Sequence, residues 1–272
     1  MRWYDLDDLE QRDARLIERL VAVTDRVLKP WFRAEVRGLE RIPEGAALYV
    51  GNHNAGLMTP DTFLFGAAVY HARGLGDVPY GLGHEVAIGL PGINQVIVPL
   101  GAVRASHENA HRLFQAGRKV LVYPGGDFDA MRPYRHRDRI VFGGRRGYLK
   151  LALREAVPIV PVVAAGAHAT FRILDDGRWL ARLLRADRLL RIKVWPITLC
   201  LPWGLLVGPG LFYLPWPTRI LIEALEPIRF ERTGPEAAAD EAYVRACADR
   251  VEGTMQAALT RLARAREALK HK

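Results

Sequence analysis

The chain has 272 residues, half of them apolar, and carries 39 Lys and Arg against 30 Asp and Glu, a formal net charge of +9. Its two cysteines, Cys200 and Cys247, lie far apart, which excludes a disulfide framework or a cysteine-based metal site and fits a reducing cytosolic setting. The acidic start Met1–Asp8 lacks the basic and apolar regions of a secretory signal. The basic surface attracts anions such as phospholipid headgroups, nucleic acid or a phosphorylated cofactor, although an Arg-rich charge also follows from a GC-rich genome.

No Ser/Gly/Pro-rich linker and no internal repeat divides the sequence, so a single α/β domain is expected over 38–272, preceded by an N-terminal helical segment, 1–37. Leu6, Leu9, Leu16, Leu20, Val23, Val27 and Trp31 form an apolar stripe that predicts a helix over 6–32, ended at Pro30. This helix either docks on a membrane or packs on the sheet, and packing is favoured. Ala46–Val50 reads as a buried strand. Thr59 as cap, Pro60 and Asp61 then open a helix to about Arg73.

Strands are predicted near 80–82 and 96–100. A helix follows from Ser106 to about Ala116, ended by Gly117. Strand 119–123, an Arg-rich loop, helix 147–155 and strand 158–163 complete a strand–helix alternation. That alternation predicts a mostly parallel central sheet flanked by helices. Beyond it, seven arginines and lysines between Arg172 and Lys193 interleave with Phe171, Leu174, Trp179, Leu183, Leu184, Leu189 and Leu190, the pattern of a basic amphipathic helix on an anionic membrane.

The stretch Val194–Thr218 has no charged residue, but five prolines break any continuous helix. A broken backbone would leave polar groups unpaired in hydrocarbon, so this aromatic segment is read as interfacial or partly buried, within a membrane-contacting region over 168–218. A last packing helix runs from about Pro235 to Lys270.

The chemistry concentrates at two strand exits. Val50-Gly51-Asn52-His53 places an imidazole just past a strand end, where α/β sheets bind ligands, with Asp61 a loop away. Val122-Tyr123-Pro124-Gly125-Gly126-Asp127 is a second exit, whose glycines let backbone N–H groups approach a ligand. His53 has the parts of a general base, and an Asp on its far nitrogen would fix the tautomer and stabilise the imidazolium. No Gly-x-Ser-x-Gly elbow is present, so direct attack by an acceptor, without a covalent enzyme intermediate, is the economical mechanism.

Asn52-His53 with Asp61, Gly101-Ala102-Val103-Arg104, Tyr123-Pro124-Gly125-Gly126 and Val157-Pro158-Ile159-Val160-Pro161-Val162 appear in the order of the glycerolipid acyltransferase superfamily. The chain resembles these PlsC-like enzymes over roughly residues 40 to 230. The resemblance implies transfer of a fatty acyl group from acyl-CoA or acyl carrier protein to a glycerolipid hydroxyl. It implies His53 as base, Asp61 as its partner and no bound cofactor or metal. Arg104 is the expected ligand of an acceptor phosphate, and Arg132 that of the donor phosphates. Asn52, Tyr123, Pro124, Gly125, Gly126, Asp127 and Asp129 are expected to line the substrates, with Gly125 and Gly126 as oxyanion donors.

Two departures stand out. The family's Asp, five positions after His, is here Met58, and its Glu after Pro is here Gly125. Pro-Gly-Gly followed by an acid resembles the diacylglycerol acyltransferase branch. From the resemblance a lysophosphatidic acid-type acceptor is favoured, and the Pro-Gly-Gly departure keeps a neutral mono- or diacylglycerol as the alternative. Peripheral or monotopic attachment to the cytoplasmic face of a membrane is expected, without nucleic acid.

His107-Glu108-Asn109-Ala110-His111 also matches the zinc-hydrolase pattern, but on a short helix with no third ligand in context. His84, after the strand near 80–82, is a secondary candidate. A non-catalytic basic membrane-binding protein is the remaining alternative.

Overall fold

The computed structural model describes residues 2–54, 56, 59–185, 194–208 and 213–269. A seven-stranded sheet of order β1-β10-β6-β2-β5-β3-β4 forms its centre. The strands are β1 (Glu35–Arg37), β2 (Ala47–Gly51), β3 (Tyr80–Gly83), β4 (Ala102–Arg104), β5 (Lys119–Val122), β6 (Ile159–Ala165) and β10 (Leu221–Ala224). β2 to β6 are mutually parallel; β10 runs antiparallel to β6 and carries β1 along its far edge. Single-residue alternation along β2 sorts its side chains between two cores. Leu48 and Val50 pack with Leu113, Leu149, Val251 and Met255, whereas Ala47 and Tyr49 pack with Phe65 and Val69. Both faces of β2 and β6 are therefore buried, which is why they read as continuous apolar runs.

The helices on the two faces are α1 (Ala14–Val23), α2 (Lys29–Trp31), α3 (Pro60–Arg73), α4 (Glu85–Ile88), α5 (Ile93–Ile97), α6 (His107–Gln115), α7 (Gly126–Ala130), α8 (Gly147–Arg154) and α9 (Arg178–Leu183), followed by a long C-terminal helix, Glu241–Ala268, capped by Asp240. Ser106 caps α6 through Asn109 N–H at 3.1 Å, as expected. Thr59 holds the cap position of α3, but its side chain makes no capping bond.

The expected helix over 6–32 starts only at Ala14. Asp8 accepts from Glu10 N–H, and Asp13 from Arg15 and Leu16 N–H, so short acidic side chains compete with helical backbone bonding before that point. Ile17 and Val21 pack against Ala67 of α3, which favours the packing role of this segment, while Val23, Val27 and Trp31 stay exposed. β1 belongs to the main sheet, so position 37 is the end of an edge strand.

The strand expected at 96–100 is α5, opened by Gly92, whose N–H donates to the Gln95 side chain; the strand comes after it, at β4. Asp175 and Asp176 bond to the N–H groups of Gly177 and Arg178 and split the expected basic helix into β7 (Arg172–Asp175) and α9. The rest of that expected helix, 186–193, lies outside the described residues. The aromatic segment forms β8 (Ile197–Cys200) and β9 (Gly204–Val207), which join β7 in a small antiparallel sheet. No helix among the described residues is long and apolar enough to cross a membrane.

Candidate active site

The ends of β6, β2 and β5 are neighbours, and they deliver the candidate residues to one edge of the sheet. Asn52 follows β2 and is buried. Its carboxamide donates to Ala164 O at 3.0 Å and accepts from Ala164 N–H at 2.9 Å, so a side chain carries the β2–β6 ladder one step further. This pairing fixes the direction in which the chain leaves the sheet, and His53 is the next residue.

His53 is held by its backbone. Its N–H donates to Asp129 Oδ2 at 2.7 Å, and its carbonyl accepts from Arg132 Nη1 at 2.7 Å. Asp129 and Arg132 are themselves a buried ion pair at 2.8 Å. The ring packs on Tyr123, centroids 4.8 Å apart and tilted by 49°. The Tyr123 hydroxyl shares a 2.5 Å hydrogen bond with Thr62. Gly51 makes room for this ring: a Cβ there would lie 2.5 Å from Tyr123 Cε1.

The electrostatics favour a neutral imidazole. Burial lowers the His53 pKa to about 4, the Arg132 charge adds to that, and Nδ1 is buried without a hydrogen-bond partner. Burial pushes Asp61 up to about 6 against the pull of its bond from Asn54, and one of its oxygens, Oδ1, is likewise buried without a partner. Asp129 is also raised by burial to about 6, opposed by Arg132 and by the N–H groups of His53 and Val141. At neutral pH the site thus holds a neutral His and ionised carboxylates.

Asp61 and His53 share no direct hydrogen bond. Asn54 Nδ2 donates to Asp61 Oδ2 at 2.8 Å and Asn54 Oδ1 accepts from Arg132 Nη2 at 2.9 Å, so Asp61 is connected through Arg132 to the backbone of His53 and not to its ring. Sequence reasoning passed over Asn54, Thr62 and His168. Asn54 repeats Asn52 two positions on and was the one available signal. His168 bonds to the Arg132 carbonyl at 2.8 Å and had none.

Several expected roles change. Arg132 does not reach toward donor phosphates: its guanidinium contacts the His53, Asp129, His136 and Arg137 carbonyls and the Asp129 and Asn54 side chains, so every N–H is spent inside. Asp129 is fully buried and holds the His53 loop instead of lining a substrate. The Gly126 N–H closes a turn onto the Tyr123 carbonyl at 3.1 Å and is not free for an oxyanion, which leaves Gly125.

Asp127 is exposed and paired with Arg145 at 2.8 Å; Arg145 also donates to the Gly125 carbonyl at 3.0 Å and, at 3.5 Å, to that of Pro124. Arg104 ends β4, three strands from β2, and is paired with Asp7 at 3.1 Å and Glu85 at 3.5 Å. Two carboxylates already neutralise the residue expected to meet an acceptor phosphate.

The other candidate histidines, His84, His107 and His111, lie on α6 and at the start of α4. On α6, His107, Glu108 and His111 are exposed, and His111 bonds to Glu155 at 2.7 Å. No group of three ligating side chains is assembled among the described residues. His84 caps α4 by accepting from Val86 N–H at 3.3 Å.

Comparison with known proteins adds to this geometry. The sequence model of the acyltransferase family matches residues 33–165. An uncharacterized protein of Mycobacterium tuberculosis is 34% identical over 236 residues, covering 86% of this chain and 63% of that protein. A mouse protein described as a DGAT1/2-independent enzyme synthesizing storage lipids is 27% identical over 158 residues, covering 57% of this chain and 46% of that protein. The chain thus spans less than two thirds of the length of these relatives. The crystal structure of the 1-acyl-sn-glycerophosphate acyltransferase PlsC from Thermotoga maritima superposes with a TM-score of 0.54 at 18% identity, over 90% of this chain and 79% of that one, and shares its fold.

Proposed function

We propose that the protein, whose residues 33–165 match the sequence model of the acyltransferase family, transfers a fatty acyl group from a thioester donor to a hydroxyl of a neutral glyceride, with His53 as general base. The observation that carries this reading is the neutral, half-buried imidazole at the end of a central strand, its backbone gripped on both sides by the Asp129–Arg132 pair. A base must be unprotonated and held in place before the acceptor arrives, and this arrangement supplies both conditions.

In the reaction, His53 takes the hydroxyl proton as the acceptor oxygen attacks the thioester carbonyl. The tetrahedral adduct collapses, the C–S bond breaks, and the departing thiolate takes the proton back from the imidazolium. Asp61, ionised at neutral pH, is the proposed counter-charge for that imidazolium, and its bond from Asn54 ties it to Arg132, which holds the His53 carbonyl. The Gly125 N–H is the donor left in the β5 turn for the developing oxyanion. Acyl-CoA and acyl carrier protein both present such a thioester.

A neutral acceptor is favoured over a lysophosphatidic acid because Arg104 is already paired with Asp7 and Glu85. The name of the mouse relative, an enzyme of storage-lipid synthesis, points the same way. The acceptor is met at a membrane. Trp179 and Leu183 of α9, Leu205 and Val207 of β9 and Leu214 are exposed apolar side chains that suit peripheral attachment at the cytoplasmic face.

The test mixes the protein with acyl-CoA or acyl carrier protein and separate acceptors: lysophosphatidic acid, monoacylglycerol and diacylglycerol. Thiol release with a new neutral lipid, lost in His53→Ala, is the expected result. Turnover retained in His53→Ala overturns the assignment of the base, and product from lysophosphatidic acid alone overturns that of the acceptor.

A further inference from the structure

A cavity of about 550 Å³ opens away from His53, lined by Arg33, Tyr134, Arg172, Trp216, Arg219 and Arg266, among others. Its place follows from topology. β10 and β1 run opposite to β6, so Arg219 before β10 and Arg33 before β1 stand at the sheet edge where β6 and β2 end. Two to three strand spacings, about 10–14 Å, separate this edge from β2 and His53.

The cavity is strongly cationic, with little to neutralise it. Arg219 pairs with Glu35 at 3.2 Å. Among the described residues no carboxylate forms an ion pair with Arg33, Arg172 or Arg266. Arg266 is 7% exposed, and its guanidinium is fixed by the Arg219 carbonyl at 2.8 Å and the Thr218 hydroxyl at 2.6 Å. Gly166, directly after β6, leaves the space this side chain occupies: a Cβ there would lie 2.6 Å from Arg266 Nε. Arg172 lies over the rings of Trp216 at 4.8 Å and Tyr134 at 5.9 Å, which restricts its plane without using up its charge. Arg266 has no carboxylate in direct contact and only the more distant charges of Asp138 and Glu267 to offset its burial, a costly arrangement whose cost falls when an anion enters.

The position adds a second constraint. Trp216 follows Pro215, whose carbonyl accepts from the exposed Trp31 at 3.2 Å, and Leu214 beside it is exposed. The cavity therefore adjoins apolar surface as well as the catalytic edge.

We propose that this cavity is a phosphate-ester binding site, distinct from the His53 centre, in which Arg33, Arg172 and Arg266 hold the phosphoryl oxygens beside Trp216. Guanidinium forks match phosphate geometry, and several converge here. Two sources present that group at this place: the nucleotide end of an acyl-CoA and the headgroup of a phosphoglyceride.

Binding is measured without turnover, by calorimetry at low and moderate salt. The probes are adenosine 3′,5′-bisphosphate and a short-chain phosphatidylglycerol below its micelle concentration. The variants are Arg33→Ala, Arg172→Ala and Arg266→Lys. Saturable, salt-weakened binding of the nucleotide, reduced about tenfold by Arg33→Ala or Arg172→Ala, assigns the site to the nucleotide end of an acyl-CoA. The same pattern for the lipid alone assigns it to a headgroup. Binding of neither probe, or binding that neither exposed-arginine variant weakens, overturns the proposal even if Arg266→Lys fails to fold. Loss of acyl transfer with binding intact bears on His53 and leaves this site standing.

Discussion

Arg132 donates through Nη1 to the carbonyl oxygen of His53 at 2.7 Å, from a position almost wholly buried. Its charge is balanced by Asp129, which in turn takes the His53 N–H, so one ion pair holds both the N–H and the carbonyl of a single residue. Removing the cation alone strands a buried carboxylate. Arg132→Ala is therefore expected to cost about 3–5 kcal/mol in chemical denaturation and to abolish transfer, whereas a surface arginine such as Arg135 changes stability by less than about 0.5 kcal/mol. An Arg132→Ala protein as stable as the parent would remove the clamp from the account.

The titration of Asp61 gives a pH-resolved prediction. Its folded pKa, about 6, lies above the ordinary 3.8. Proton binding thus favours the folded state: this contribution is fully present below pH 3.8 and is lost as pH rises through 6. Asp61→Asn keeps an acceptor for Asn54 and deletes the ionisation. The variant is expected to match the parent in stability below pH 4 and to exceed it by up to about 3 kcal/mol at pH 8. Transfer falls about 10²-fold, because the imidazolium loses its counter-charge. Thermal melts across pH beside initial rates separate the two effects, and full activity in the variant reduces Asp61 to a helix-start residue.

His53 works in the opposite sense. Its folded value of about 4 lies below 6.5, so its contribution to stability is present above pH 6.5 and is lost as pH falls toward 4. The acid limb of activity therefore follows Asp61 near pH 6, because His53 is already neutral there. A rate profile for Asp61→Asn should keep its residual activity to lower pH than the parent; an acid limb that stays near 6 in the variant assigns that titration to another group, with Asp129 the first to examine.

The acceptor assignment rests on Arg104. With Asp7 and Glu85 already on its guanidinium, Arg104→Ala is expected to leave diacylglycerol turnover within about twofold, since exposed ion pairs of this kind contribute about 0–1 kcal/mol. A selective rise in KM for a phosphorylated acceptor, with diacylglycerol unaffected, would instead return Arg104 to the phosphate role.

The centre of the fold was legible because burial leaves a continuous apolar trace. β2, β5 and β6 each read as an apolar run ending at a turn, and those ends brought His53 and Tyr123 forward as candidates. The clamp was not legible. Asp129 and Arg132 reach His53 across 76 and 79 residues, and a buried ion pair leaves no periodicity in sequence. Arg132 stood out from the basic loop only as an expected ligand of donor phosphates, not as a buried partner of Asp129. The edge strand β1 and its neighbour β10, three and four residues long, were too short to stand out, and α9 was overextended because its arginines were counted without the Asp175 and Asp176 turn.

Gly125 also gains a physical account. Where the family pattern has Glu, a Cβ here would lie 2.3 Å from Asp129 Cβ and 2.4 Å from the Val141 carbonyl oxygen. The space of that side chain is taken by the carboxylate that holds His53. Gly125→Ala is expected to cost at least about 1–3 kcal/mol from overpacking and to lower transfer further by pushing Asp129 off the His53 N–H. A variant that melts lower but retains full kcat would separate the turn from the clamp.

The proposed membrane attachment rests on exposed apolar side chains of α9 and β9. Leu183 is 72% exposed and Leu205 64%, with Trp179 and Val207 beside them in sequence on α9 and β9. Burying one such side chain in an interface contributes about 1.5–3 kcal/mol, about tenfold or more in partitioning. Leu183→Ser and Leu205→Ser should each lower sedimentation with phosphatidylglycerol–phosphatidylcholine vesicles by about that factor. Turnover of a soluble short-chain acceptor should stay unchanged, because neither residue approaches His53. High salt weakens the arginine contribution and spares the apolar one, so binding that survives salt in the parent and is lost in the serine variants identifies the apolar face as the anchor. Binding unaffected by both substitutions would shift attachment to the exposed Val23, Val27 and Trp31 stripe of the N-terminal segment.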